Sequence, residues 1–102
     1  MTSPAVGTGI VAFIEARLDE RERWVAEWAA GVRAGQMLLA EVAKDRAILA
    51  LHRPGHGDLC RICDPLAFLP AVMAYPCQTV RLLAAIDADH PDFDPSWKPV
   101  AT

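Results

Sequence analysis

Leu38-Leu39-Ala40-Glu41-Val42-Ala43-Lys44-Asp45-Arg46-Ala47-Ile48-Leu49-Ala50-Leu51-His52-Arg53-Pro54-Gly55 is the stretch on which the fold turns. Leu38, Val42, Leu49 and His52 recur at helical spacing on one face, with Ile48 beside them. Asp45 falls in the same stripe and marks a polar contact or a boundary. Alanine dominates and β-branched residues are few, which favours helix over strand. Pro54 and Gly55 then stop the helix, because proline lacks the amide hydrogen and crowds the preceding turn. The spacing predicts a helix over 36–52 with His52 in its last turn.

Upstream, Ile10, Ile14 and Leu18 repeat every four positions beside Phe13, and Val25 and Trp28 extend the stripe. This predicts a helix over 9–30, with Thr8 as a candidate N-cap. Gly31 and Gly35 suggest a turn before the second helix. A single continuous helix is the alternative, since a glycine costs only about 1 kcal/mol in a helix interior. Residues 1–8 read as a frayed lead-in. Residues 9–102 read as one zinc-binding helical domain, a usual size for a single unit.

Downstream of Pro54 the chain is irregular. Pro65, Pro70 and Pro76 rule out one regular element across Leu66–Tyr75. A third helix is expected from Pro76 or Cys77 to about Asp89, with Val80, Leu83 and Ile86 or Asp87 at helical spacing and Leu82 and Ala84 widening the apolar face. Pro91 ends it. Phe93 and Trp97 lie in the tail among prolines and are expected to pin it back onto the helices. The fold class is therefore mainly α: a helical hairpin, a third helix docked across it, and an irregular knuckle loop.

The chain has three cysteines, and a histidine joins them in a metal-ligand pattern. Seven residues separate His52 from Cys60, two separate Cys60 from Cys63, and thirteen separate Cys63 from Cys77. A two-residue gap lets the backbone turn with both sulfurs on one side. Thiolate and imidazole are the donors zinc prefers in a tetrahedral site. Cys77 sits at a helix start, where the helix dipole favours the thiolate. His52, Cys60, Cys63 and Cys77 are thus the expected ligands of a structural Zn2+, and an odd cysteine count fits a disulfide framework poorly. His56 competes with His52 as the fourth ligand. Asp58 and Asp64 are less usual partners for thiolates. An iron–sulfur cluster or a redox role is the alternative use of the same cysteines.

Four protein ligands leave no open position for substrate. No H-E-x-x-H or H-x-E motif accompanies them, and Ser3 and Ser96 lie in terminal segments. Cys60-x-x-Cys63 lacks the βαβ setting of a thioredoxin-like motif, and Gly7-Thr8-Gly9 is too short for a phosphate loop. No catalytic residue is expected, so the chain reads as a non-enzyme.

The net charge of −3 and a pI near 5.5 give no surplus of basic surface for phosphates, so nucleic-acid binding is the lesser reading. Arg17, Arg21 and Arg23 alternate with Asp19, Glu20 and Glu22, which predicts a solvated face with internal ion pairs. Asp87, Asp89, His90, Asp92 and Asp94 read as a capped, solvated helix end. No secretory signal or membrane-length apolar run is visible, and a cytoplasmic location is expected. The expected role is a protein-interaction module. Trp24 and Trp28, one turn apart, and the apolar loop Leu66–Tyr75 are its candidate contacts with another protein or a second copy.

Three blocks carry a family resemblance. They are Val11–Glu20, Leu39–His52, and Tyr75–Ala84 followed by Ala88-Asp89-His90-Pro91-Asp92-Phe93 and Trp97, with Cys60 and Cys63 between the second and third. In this order they resemble a small family of unknown function (domain of unknown function 6221) found in actinobacteria and their phages. The resemblance implies that the Leu51-His52 histidine is the ligand rather than His56, and it implies no activity. The chain departs from the pattern where 22–35 is brief and helical. It departs again at Gln78, where a second proline is usual, and at Ala85-Ile86-Asp87.

Overall fold

The computed structural model describes residues 8–53 and 76–99. Three α-helices and one 3-10 turn make up this part: α1 over Thr8–Trp28, α2 over Arg33–Leu51, α3 over Gln78–Ala85, and the 3-10 turn over Pro95–Trp97. There is no strand among the described residues.

α1 and α2 form an antiparallel hairpin, and the ion pairs between them fix its register. Arg46 of α2 reaches back to Asp19 at 2.8 Å and also to Glu22, while Arg53, further along, lies 3.8 Å from Glu15. As residue numbers rise on α2 they fall on α1. The Asp19 and Glu22 carboxylates hold the Arg46 guanidinium above its ordinary pKa, Asp19 chiefly through its hydrogen bond.

The link of residues 29–32 settles the choice between one helix and two. Val32 N–H donates to the Ala29 carbonyl at 3.2 Å, closing the turn. Gly35 lies inside α2 rather than in the link. A β-carbon there would stand 2.2 Å from the Ala29 carbonyl oxygen. That closeness is under any tolerable contact, so the hairpin closes only because this position has no side chain.

The core follows the expected stripe. Ile10, Phe13, Ile14 and Leu18 of α1 pack against Val42 and Leu49 of α2 and against Val80 and Ala84 of α3. Val25 is buried too, but Trp28, expected to continue the stripe inward, is 73% exposed. Thr8 is the first residue of α1 rather than the residue before it.

α3 starts beside the end of α2 and runs along the hairpin seam. It is shorter than expected. After Ala85 the chain tightens into successive turns, with Asp87 N–H on the Ala84 carbonyl, Ala88 N–H on Ala85 and His90 N–H on Asp87. Side chains explain the departure. Arg21 binds both Asp87 carboxylate oxygens at 2.7 Å, and the turns carry His90 in toward α1. Leu83 is partly buried, but Leu82 and Ile86, expected on the apolar face, point outward instead.

The tail is pinned as expected. Phe13 is its hub, with ring centroids 5.6 Å from His90, 5.9 Å from Phe93 and 5.3 Å from Trp97. Such tilted and edge-on pairs add about 0.5–1.5 kcal/mol each beyond area burial. Asp94 caps the 3-10 turn by accepting the Ser96 N–H at 2.9 Å. Arg81 of α3 donates to the Ser96 and Lys98 carbonyls, and so ties the far side of the tail to α3.

Candidate metal centre

His52 and Cys77 are 25 positions apart in sequence, and the fold brings them together. The Cys77 Sγ lies 3.6 Å from the His52 Nδ1. Helix ends hold both backbones. His52 N–H is shared between the Ile48 and Leu49 carbonyls, which closes α2. The Cys77 carbonyl accepts the Arg81 N–H at 3.0 Å, which opens α3. Cys77 is 3% exposed and belongs to the hydrophobic core, while His52 is half-buried at the rim.

The separation can be compared with what a metal would impose. Zinc holds sulfur at about 2.3 Å and nitrogen at about 2.0–2.1 Å, and at a tetrahedral angle those two donors stand about 3.6 Å apart. The observed pair therefore fits one edge of a zinc tetrahedron without movement. The same separation also suits a thiol–imidazole hydrogen bond, so the distance alone is common to two chemistries.

Cys60, Cys63, His56, Asp58, Asp64 and the segment Leu66–Tyr75 lie outside the described residues. Among the described residues no group of three or more potential metal ligands occurs. The structure thus brings together two of the four expected ligands.

A second polar cluster escaped the sequence reading. Arg17 is 91% buried, not solvated. Its Nη1 donates to His90 Nδ1 at 3.0 Å, its Nη2 to Glu20 at 2.8 Å, and its guanidinium carbon lies 5.1 Å from the centre of the Phe13 ring. Its Nε is buried without a hydrogen-bond partner among the described residues. Asp92 N–H also donates to His90 Nδ1, at 3.0 Å. Both partners can only donate, so Nδ1 is the acceptor in this arrangement. The available signal was Arg17 itself, an arginine in line with Ile10 and Ile14 on an apolar stripe. The acidic residues near the end are likewise partly structural, since Asp87 pairs with Arg21 and Asp94 caps a turn.

Trp24 and Trp28, candidate partner contacts from the sequence, are both largely exposed. With Val32, Met37 and Leu38 they line an apolar groove of about 560 Å³ at the closed end of the hairpin. No helix among the described residues is long and apolar enough to cross a membrane.

No curated protein and no solved structure matches the chain. The profile of one protein family matches residues 34–99, which span α2, the segment carrying Cys60 and Cys63, α3 and the tail. With nearly two thirds of its length matched, the chain belongs to that family, DUF6221, a family of unknown function.

Proposed function

We propose that this protein is a non-enzymatic interaction module stabilised by one structural zinc ion held by His52, Cys60, Cys63 and Cys77. The single observation that carries the reading is the 3.6 Å approach of Cys77 Sγ to His52 Nδ1. Two residues that share no local contact arrive at the spacing of adjacent zinc ligands. The chain between them carries the Cys60-x-x-Cys63 pair, the remaining two donors of a closed set. When bound, the ion would link the end of α2, the connecting segment and the start of α3. Structural sites of this kind contribute about 10–16 kcal/mol of apparent binding free energy at neutral pH, which couples metal to folding.

A complete protein ligand set has no place for a reacting molecule, which is why the reading is structural. Binding then falls to the surface, and the exposed tryptophans at the far end of the hairpin support it.

Elemental analysis of the purified protein tests the metal. The expected result is one zinc per chain in a colourless protein, lost in Cys77→Ala and His52→Ala and retained in His56→Ala. Visible absorbance with iron and sulfide would replace zinc by a cluster. Loss of the ion on changing His56 but not His52 would overturn the ligand assignment.

A further inference from the structure

One face of α1 carries Ile10, Ile14, Arg17, Arg21, Trp24 and Trp28, spaced alternately four and three residues apart. That spacing is the seam of a helix made for a partner along its whole length. The first four positions have their partner. Ile10 and Ile14 lie in the core with α3, Arg17 meets His90, and Arg21 meets Asp87 in the turn after α3. α3 has only 8 residues against 21 in α1, so the cover ends there. Trp24 and Trp28 continue the same seam and are 54% and 73% exposed.

We propose that a second copy of this chain covers the rest of the seam, as a two-fold dimer formed at the closed end of the hairpin. The proposal deepens the interaction-module reading and rests on it, but not on the metal. Three features favour a second copy over an unrelated protein. First, the patch holds both a ridge and a hollow. Trp28, 73% exposed, rises as one wall of the groove that it lines with Trp24, Val32, Met37 and Leu38. A two-fold interface needs both on the same surface.

Second, charge is arranged for self-pairing. Arg33, Met37 and Glu41 follow one another at four-residue spacing along α2, with Met37 exposed between a cation and an anion. A two-fold axis near Met37 sets Arg33 of each copy against Glu41 of the other, twice over. Neither has an ion-pair partner among the described residues. Third, the area suits a dimer. The exposed parts of Trp24, Trp28, Val32 and Met37 amount to about 500 Å² of mostly apolar surface per copy. That is at the upper end for a patch left open on a monomer. A standard interface takes about 800 Å² per partner, so Arg33, Glu41 and the rest of the lining have only the balance to supply.

Sedimentation of the full chain from about 1 µM to about 1 mM tests it. The wild type is expected to dimerise within that range. Trp28→Ala is expected to weaken the dimer about 30-fold or more, with an unchanged far-UV spectrum because the side chain is 73% exposed. Arg33→Glu and Glu41→Arg are each expected to weaken it several-fold, and the double swap to restore it. Mixing the two single variants is expected to give a heterodimer tighter than either homodimer.

A wild type that stays monomeric throughout overturns the proposal, whether the patch is then covered by another protein or by the segment Leu66–Tyr75. A dimer indifferent to all these changes overturns it too, because a different face would be responsible. Zinc measured on the same samples separates the two readings. A zinc-loaded monomer removes only the dimer, and a metal-free dimer removes only the metal.

Discussion

The two ends of the α1–α2 hairpin have little in common. At the open end α1, the finish of α2, α3 and the aromatic tail converge on one core, and the contacts join residues far apart in sequence. At the closed end there are two helices, a four-residue link, and large apolar side chains facing outward. Similar hydrophobic residues therefore do different work at the two ends. In the open half they are enclosed and hold the fold together. At the closed end they add little to folding, which leaves them available for another surface.

The contrast is sharpest if the open end is also a metal centre. Cys77→Ser, or prolonged chelation, is then expected to cost several kcal/mol and to release α3 and the tail while α1 and α2 stay helical. Near-ultraviolet dichroism of Trp97 and urea unfolding would report it. A variant as stable as the parent would show that the open end stands on packing alone. Next in size is Leu18→Ala, which empties a site that is 1% exposed. It is expected to lose about 2–5 kcal/mol in urea unfolding.

Gly35→Ala tests the closed end from the inside. Its new methyl would meet the Ala29 carbonyl, and a loss of about 1–3 kcal/mol is expected from overpacking, despite alanine's better helix propensity. A gain in stability would mean that the link relaxes freely. Arg21→Ala removes a largely buried ion pair to Asp87 and is expected to cost about 1 kcal/mol. Smallest of all, Trp28→Ala is expected to change monomer stability by no more than about 0.5 kcal/mol. A larger loss, measured below the concentration of self-association, would mean that the closed end is part of the fold after all.

Much of this architecture was legible from spacing. The repeats Ile10-Ile14-Leu18 and Val42-Leu49 mark the buried faces of α1 and α2, and Pro54-Gly55 marks where regular helix gives way. His52 and Cys77 were legible as a pair because their residue types are rare in this chain and suit the same ion. The end of α3 was not legible. Local pattern continues through Ile86, but the chain breaks into turns where Asp87 meets Arg21, a partner 66 residues away. Arg17 was misread for a similar reason, since neighbouring acids suggest a solvated stripe while His90, from the far end of the chain, draws it inward. Gly35 misled differently. It resembles a helix breaker, yet it lies within a helix because what it admits is a carbonyl from the preceding turn.

The family profile begins at residue 34, downstream of α1, yet six of the twelve buried apolar side chains among the described residues belong to α1. A fragment trimmed to the shared span would expose Val80, Ala84 and the tail aromatics to water. The buried core thus extends beyond the stretch by which the chain's kinship is recognised.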